Sequence, residues 1–226
     1  MIFIDPKLWQ VASKKPAGDY VVDDIVQLRE NLVPVDYIVV HQGLPGSMYD
    51  ASCDGTWLLR KDIAENRVWD AGNSNVLESS DIHSYLNNTW INRYDTDIRN
   101  AIKQVKIPYR QNGGSGGTDR NGANGLSCKI FLLSGKEVGW DSSYSPYFPN
   151  DGAKLSYFLD GTGSSANQKR VATLNGRDTR WWLRSPNTYN TNSVWNVLSN
   201  GDHNHWYANN SYGVRPALVL PSDFRI

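Results

Sequence analysis

The sequence predicts an α+β protein whose strands form mainly antiparallel sheets. Short segments rich in Val, Ile, Leu, Trp and Tyr recur along the chain and have the length and composition of strands. The dipeptides Asn175-Gly176 and Asn200-Gly201 each lie between two such segments and are typical of tight hairpin turns. Two longer segments space their apolar residues as helices do. Because tight turns join consecutive strands, antiparallel pairing follows.

The first twenty residues are predicted to form an arm (1–20) that is separate from the domain. Pro6, Pro16 and Gly18 interrupt any regular element there. Its candidate anchors are Leu8, Trp9 and Val11. The remaining residues, 21–226, are predicted to form one domain, which is long enough to bury a core without disulfides.

The first half of the domain is predicted to combine strands with the two helices. Residues 25–28 and 35–40 pair around a turn at 29–31, and residues 57–60 form a further strand.

Ser80 and Asp95 are predicted to cap the two helices, because short polar side chains accept hydrogen bonds from the free amides of a first turn. The apolar stripes are Ile82, Tyr85, Leu86 and Trp90 in the first helix, and Ile98, Ala101, Ile102 and Val105 in the second. Pro108 is expected to end the second helix, since proline lacks an amide donor.

A glycine-rich segment, 111–125, is predicted to be a flexible surface loop within the domain. Strand-like sequence resumes directly after it, at 129–133. Ser134 and Glu137 then fit a capping box, which predicts a short helix. The strands of the last third are predicted at 170–174, 180–184, 194–198, 202–207 and 214–220.

Charge and hydropathy exclude several classes of partner. The 23 Lys and Arg residues balance 23 Asp and Glu residues, so the chain lacks the attraction that drives non-specific binding to nucleic acids and anionic membranes. No run reaches the roughly 18 apolar residues of a membrane-spanning helix, and the N-terminus lacks the pattern of a signal peptide. We therefore expect neither nucleic-acid binding nor membrane insertion.

The composition favours aromatic surfaces in contact with water. Nine Trp and twelve Tyr stand against five Phe, and both favoured types carry a polar group beside a large apolar face. Cys53 and Cys128 show neither metal-site nor disulfide spacing, so we expect two buried thiols. No cofactor or metal site is predicted.

Three features suggest catalysis but have simpler interpretations. Residues 113–117 match the pattern G-x-S-x-G, yet they lie in a glycine loop instead of between a strand and a helix. His41 follows an apolar strand, where a histidine bonded to backbone is the simpler interpretation than a general base. His203 and His205 share one strand face but lack the further ligands that a metal ion needs.

The most informative segment is 187–212, in which eight of 26 residues are asparagine. Asparagine is disfavoured in strands, so this density indicates a purpose other than folding. The same segment holds Tyr, Trp, His and Ser, a mixture that resembles antibody paratopes: rigid rings supply contact area and short polar side chains supply hydrogen bonds.

A two-residue turn at Asn200-Gly201 would fix the faces of this hairpin. The pairs it predicts are Ser199 with Asp202, Leu198 with His203, Asn196 with His205, Trp195 with Trp206, and Val194 with Tyr207. The core face would then hold Trp195, Val197, Asn204 and Trp206, and the solvent face Asn196, Leu198, His203, His205 and Tyr207.

Two sequence blocks frame the segment, WWLRSP at 181–186 and YGVRPAL at 212–218. With further blocks at 39–43, 53–61, 105–110 and 125–135, the chain resembles a family of bacterial and phage domains over about residues 25–222. The resemblance implies a C-type-lectin-like fold of the formylglycine-generating-enzyme type. In phage and bacterial relatives this fold often carries the variable region of a diversity-generating retroelement, which mutates adenines and so converts AAY asparagine codons.

The resemblance implies that 187–212 is such a variable surface. Eight of its residues are reachable from AAY codons: Tyr189, Ser193, Leu198, Asp202, His203, His205, Tyr207 and Tyr212. Trp206 is not reachable. The reactive cysteines of the related enzymes have no counterpart in Cys53 and Cys128, so catalysis is not carried over. The expected ligand-binding residues are Tyr189, Asn190, Asn192, Ser193, Asn196, Leu198, Asp202, His203, His205, Trp206, Tyr207, Asn210 and Tyr212.

These observations together predict a non-enzymatic, receptor-binding protein of a phage tail or a bacterial cell surface. Its expected partner is a host cell-surface protein or glycan, and its expected assembly is a homo-oligomer or attachment to a tail protein through the arm. Arg184 and Arg215 are expected to make buried ion pairs or backbone hydrogen bonds. The alternatives are a cell-wall-directed hydrolase that uses His41 or the His203/His205 pair, and a structural virion protein whose Asn-rich face packs against a neighbouring subunit.

Overall fold

The computed structural model describes residues 14–159 and 164–226. Its strands are β1 (Ile25–Glu30), β2 (Val33–Gln42), β3 (Thr56–Arg60), β4 (Glu65–Val68), β5 (Val105–Ile107), β6 (Tyr109–Gln111), β7 (Thr118–Arg120), β8 (Leu126–Cys128), β9 (Ile130–Phe131), β10 (Thr173–Leu174), β11 (Arg177–Asp178), β12 (Trp181–Pro186), β13 (Ser193–Val197), β14 (His203–Tyr207), β15 (Ser211–Val214) and β16 (Ala217–Leu220). The α-helices are α1 (Asp81–Asn88), α2 (Thr96–Ala101) and α3 (Ser164–Arg170). Single 3₁₀ turns occupy Ala17–Asp19, Ala51–Cys53, Leu77–Ser79, Trp90–Arg93, Gly122–Asn124 and Ser156–Phe158.

Two five-stranded sheets organise the chain. The first has the order β1-β2-β3-β16-β9 and the second the order β14-β13-β12-β15-β4. The strand pairs are antiparallel, except that β12 and β15 run parallel. The three short pairs are β5-β8, β6-β7 and β10-β11. The structure is therefore α+β with mainly antiparallel sheets, as the sequence predicted.

Apolar side chains form two cores, and central strands contribute to both. In β12, Trp181 packs into one core and Trp182 into the other. Because successive side chains of a strand point to opposite faces, such a strand must be apolar at consecutive positions. This explains why the central strands read as continuous apolar runs instead of alternating with polar residues.

Local signals located the strands of the early hairpin and the first helix, but the hairpin turn was predicted too early, at 29–31, where Arg29 and Glu30 belong to β1. β1 and β2 are joined at Asn31 and Leu32, which both have positive φ (50° and 68°), as in a type I′ turn. The Ser80 side chain accepts the His83 amide and begins α1. The Asn175-Gly176 turn likewise joins β10 and β11.

The second helix is shorter than predicted. It begins after Asp95 but ends at Ala101, and Val105 belongs to β5, which pairs with β8. The amide of Lys103 donates to the carbonyl of Val219, so a contact with a distant strand redirects the chain before Pro108 is reached. The apolar stripe continues across this change, but Ile98 and Ile102 pack into one core and Val105 into the other.

Three further predictions were wrong in detail. The predicted strand 170–174 begins as the end of α3, with only Thr173–Leu174 extended. Ser134 and Glu137 do exchange both capping-box hydrogen bonds, but they close a turn and start no helix. Predicted strand 214–220 is two strands, because Arg215-Pro216 carries the chain from the second sheet to the first.

The block WWLRSP is buried throughout and holds an ion pair at its centre. Arg184 donates from Nη1 to Glu137 Oε2 at 2.5 Å and from Nη2 to Glu137 Oε1 at 2.7 Å, and both side chains are about fully buried. Its remaining donors reach carbonyls of Pro108, Leu132 and Asp151. Arg215 is also buried and donates to the Arg60 carbonyl. Both arginines therefore have the structural role that the sequence predicted.

Asp151 lies beside this pair and is expected to make stability depend on pH. Burial raises its pKa to about 7, although the Arg184 charge and the hydrogen bond from Ser185 oppose the rise. A carboxyl group whose pKa is raised by folding binds its proton more tightly in the folded state, so stability falls as pH rises from about 4 through 7. At 1.36 kcal/mol per pKa unit, the fall from pH 5 to pH 8 is roughly 2–3 kcal/mol.

Chemical denaturation of Asp151→Asn at pH 5 and pH 8 checks this. The amide keeps the shape and still accepts from Ser185 Oγ, which donates to Asp151 Oδ2 at 2.6 Å. The variant is expected to match the wild type at pH 5 and exceed it at pH 8. An equal pH dependence in both proteins would contradict the assignment.

The described part of the arm, residues 14–20, packs against the C-terminal segment. The Ala17 amide donates to Phe224 O and the Gly18 amide to Ser222 O. The predicted anchors Leu8, Trp9 and Val11 lie outside the described residues. Cys53 and Cys128 are buried free thiols. Within the described ranges, no helix has the length and apolar character needed to cross a membrane.

Candidate recognition surface

The hairpin β13-β14 has a different register from the predicted one. Its loop has three residues, 199–201, so that Leu198 pairs with Asp202 and Trp195 pairs with His205. Gly201 closes the loop with φ 79° and donates to Leu198 O. A turn followed by a left-handed glycine is the usual three-residue hairpin loop. The predicted two-residue turn was therefore wrong by one position.

A shift of one residue moves each side chain of β14 to the other face. Trp195 and Val197 face the core, as predicted, but His203, His205 and Tyr207 share their face instead of opposing it. The ring centroids of His205 and Trp195 are 5.1 Å apart. Asn204 and Trp206, predicted for the core face, lie on the opposite one. Because β14 is an edge strand, the two histidines are half-buried and remain accessible.

The imidazole of His203 lies among four aromatic rings. Its centroid is 5.4 Å from Trp140, 5.7 Å from Phe148, 5.8 Å from Trp195 and 6.1 Å from Tyr144. Three of these rings come from residues 140–148, a segment that was not predicted to meet the hairpin. The signal was available, because that segment places four aromatic residues within nine positions.

The accessible rings on this face of β14 and on the segments packed beside it are called the aromatic surface: Tyr144, Tyr147, Tyr189, His203, His205 and Tyr207. Tyr144, Tyr189 and Tyr207 are 56%, 72% and 51% exposed. Tyr147 packs on Tyr189 with centroids 5.1 Å apart. Its carbonyl accepts from Thr188 N and Trp195 Nε1, which ties the 140–148 segment to the hairpin.

Burial affects the charge of His205. Burial lowers the pKa of His205, and the neighbouring His203 lowers it further, so His205 is neutral at pH 7. His203 Nδ1 lies 2.9 Å from Asp202 Oδ1. The aromatic surface thus presents an uncharged His205 ring, and the Asp202 carboxylate lies beside His203.

The buried side chain of Asn75 positions the loop that carries Tyr189. Its Nδ2 donates to Asn190 O and Ser193 O, both at 3.0 Å, and its Oδ1 accepts from Gly114 N at 2.9 Å. Ser115 N also donates to Asn190 O. Gly113 and Gly114 are buried beneath this loop, so the start of the predicted flexible segment is packed structure.

Several predicted ligand contacts have structural roles instead. Ser193 is 4% exposed and Asn196 is fully buried, so neither side chain reaches a partner. Asn190 Oδ1 accepts the amides of Asn192 and Ser193, which closes its own turn. Tyr212 packs on Trp182 at 4.7 Å, across the sheet from the histidines. Trp206 is 45% exposed and lies on the opposite face of β14 from the histidines, with its ring centroid 6.1 Å from that of Tyr207. The remaining predicted contact residues in the hairpin and its flanking turns are half-buried: Asn192, Leu198, Asp202 and Asn210.

The buried amide of Asn196 is expected to destabilise the fold. Neither polar atom of its amide has a hydrogen-bond partner in the part of the chain that the structure describes. An unsatisfied buried polar group costs about 1–3 kcal/mol, so Asn196→Leu, of similar shape, should raise the free energy of unfolding by roughly 1–2 kcal/mol.

Asn187→Leu is the matched control, since Asn187 is equally buried but its Oδ1 accepts the Tyr189 amide. That variant should lose stability. Urea denaturation of both variants distinguishes the two cases, and a loss in Asn196→Leu as large as in Asn187→Leu would show that the amide is satisfied.

The residues considered for catalysis do not assemble with one another. Ser115 belongs to the exposed part of the glycine segment. His41 is half-buried, and its Nδ1 lies 2.8 Å from Ser156 Oγ and accepts the Ser156 amide at 3.3 Å. Burial lowers the pKa of His41. Among the described residues, no group of three or more His, Cys, Asp or Glu side chains is placed to hold a metal ion.

Comparisons with known proteins place the chain in a family. Neither the curated proteins nor the solved structures gave a match. A family described as "Domain of unknown function (DUF6273)" matches residues 54–222, a range that contains the 140–148 segment, the hairpin and the packed glycines beneath its loop. Since this match covers about three quarters of the sequence, the chain belongs to the DUF6273 family.

Proposed function

We propose that the protein is a ligand-binding module that recognises a host cell-surface protein or glycan through the aromatic surface. The observation that carries the proposal is the set of exposed rings on one face of an edge hairpin and on the two segments beside it, 140–148 and the loop that carries Tyr189. Exposed tyrosines that lie close together are unusual on a protein surface without a partner. Tyrosine supplies large contact area with few rotatable bonds, which is why it dominates binding sites.

A rigid base beneath the surface supports this function. Phe148 stacks on Trp195 with centroids 3.8 Å apart and planes 18° apart, and Trp140 stacks on Phe148 at 6.3 Å. Because these rings are buried and in contact, the exposed rings above them lose little freedom on binding. Recognition would rest on ring area and hydrogen bonds, since a net charge of zero provides no long-range steering.

The resemblance to C-type-lectin-like variable proteins extends the proposal. On this interpretation the domain is a receptor-binding part of a phage tail or a bacterial surface protein, and a retroelement diversifies 187–212. The gene neighbourhood tests it. A reverse-transcriptase gene beside a near-repeat of the 187–212 codons, with AAC where this gene has other bases, is expected. Absence of both would remove the retroelement from the proposal and leave the aromatic surface.

Binding of the labelled protein to a panel of bacterial strains and to a glycan array tests the function itself. Tyr147→Ala combined with Tyr189→Ala should weaken binding about tenfold or more, because two contacting rings are lost. Leu32→Ala is the control, since Leu32 is 72% exposed but lies in the β1-β2 turn. Equal loss in both variants, or binding unaffected by the tyrosines, would contradict the assignment.

The contact between Ser156 and His41 favours a second function, a hydrolase with Ser156 as nucleophile. A fluorophosphonate probe distinguishes the two. Labelling that Ser156→Ala abolishes would support the hydrolase, whereas binding without labelling supports recognition. In the third alternative, a structural virion protein, an assembly would bury Tyr189, His203 and His205 between subunits.

A further inference from the structure

The outer edge of β14 is expected to pair with other extended chains, because β14 is the last strand of its sheet. An edge strand presents unpaired amides and carbonyls that pair readily with another extended chain. The amides of Asn204 and Trp206 face β13, as the alternating hydrogen bonds of the hairpin require. The amides of His203, His205 and Tyr207 therefore point outward.

Two of these three amides, those of His203 and His205, are occupied by the side chain of the preceding residue. His203 N donates to Asp202 Oδ1 at 2.7 Å, and His205 N donates to Asn204 Oδ1 at 2.8 Å. Beyond them, Tyr207 O accepts from the amide and side chain of Asn210. An incoming strand would have to displace these contacts before it could pair.

The edges of the other sheet are closed as well, but by other elements. At β9, the Asn87 side chain accepts the amide of Ile130 and donates to its carbonyl. At β1, Asn31 N donates to Arg93 O and Asp95 N donates to Arg29 O. No described element covers β14 in this way, and such a cover would hide the aromatic surface.

We infer that Asp202 and Asn204 close the edge of β14 from within the strand, so that the rings beside it stay accessible while strand addition is blocked. The partner would then be a folded surface or a glycan that contacts side chains, and not an extended peptide that joins the sheet. This consequence for the partner rests on the proposed function, whereas closure of the edge does not.

The variant Asp202→Ala/Asn204→Ala tests the closure, with Asp202→Asn/Asn204→Asp as the matched control. The control exchanges the two side chains and keeps an oxygen acceptor and the net charge. Amide hydrogen exchange at His203 and His205 should be at least fivefold faster in the alanine variant than in the wild type and the control.

A synthetic peptide of residues 201–208 provides the second measurement. It should bind the alanine variant, and analytical ultracentrifugation should show that this variant self-associates more than the wild type. Unchanged exchange in the alanine variant, or peptide binding by the wild type, would overturn the inference. If the double variant fails to fold, the single variants can be measured instead: Asp202→Ala exposes the His203 amide and Asn204→Ala exposes the His205 amide. Neither measurement uses a host ligand, so failure here is distinct from failure of the cell-binding experiment.

Discussion

Gly114→Ala is expected to dislodge the loop that carries Tyr189 and so to abolish binding through the aromatic surface. A Cβ at this position would lie 2.1 Å from both Asn187 O and Asn190 O, and 2.7 Å from Asn75 Nδ2. Two of these three atoms are backbone carbonyl oxygens, which a side-chain rotation cannot relieve. The loop or the glycine segment must move, and the Asn75 hydrogen bonds would break with it.

The expected loss is roughly 2–4 kcal/mol in the free energy of unfolding, combining overpacking with lost buried hydrogen bonds. Amide hydrogen exchange of residues 187–193 should become faster. Asn75→Ala should produce the same acceleration, because it removes the side chain that holds the loop to Gly114. The two effects should not add in the double variant, because both remove one set of contacts.

Gly116→Asn is the control for this substitution. Gly116 lies in the same segment with φ 81° and has open space around its Cβ position, and asparagine tolerates left-handed backbone. The Gly116→Asn variant should therefore keep the wild-type free energy of unfolding and the wild-type loop conformation. If amide hydrogen exchange of residues 187–193 is as slow in Gly114→Ala as in the wild type, the loop adjusts to the methyl group and the prediction is wrong.

Glu137→Gln is expected to be the most destabilising single change that preserves shape. It leaves the Arg184 charge buried without its carboxylate, and breaking a buried ion pair in this way costs about 3–5 kcal/mol. Glu137 also accepts from Tyr49 OH at 2.8 Å and from Ser134 N at 2.9 Å, so the substitution disturbs a network that includes the start of the 134–139 turn.

A double-mutant cycle with Arg184→Met measures the coupling. The double variant should be more stable than the sum of the single losses implies, although the carbonyls that Arg184 satisfies will still be left without a donor. Asp36→Asn, which removes an exposed partner of Lys61, should cost less than about 1 kcal/mol. A Glu137→Gln loss as small as that of Asp36→Asn would show that the buried pair does not stabilise the fold.

Local chemistry was sufficient for much of the fold. Strand-like segments, a serine cap and the Asn175-Gly176 turn located the strands of the first hairpin, α1 and the β10-β11 hairpin, because each depends on neighbours within a few residues. The same chemistry failed where a distant contact decided the outcome. The capping box at Ser134 formed its hydrogen bonds without a helix, and the helix after Asp95 ended at Ala101, where the chain meets β16.

The register of β13-β14 shows most clearly what sequence alone could not decide. Ser199-Asn200-Gly201 fits a two-residue or a three-residue loop equally well, since both use a left-handed glycine. The longer loop is the one that fits the tertiary packing: it places His203 and His205 beside Trp195, and Gly201 so close to Asn167 O in α3 that a Cβ would be 2.0 Å away.

The sequence by itself determined the fold class, the segment 187–212 as the informative one, and Tyr189 and Tyr207 as exposed rings. Only the tertiary structure decided that His203 and His205 join the Trp195 face and that Tyr144 and Tyr147 complete the surface. It also decided that much of the asparagine content serves turns and buried contacts. The reason is that local preferences fix turns and strands, whereas the face a side chain presents depends on register, which is set by residues far away in the chain.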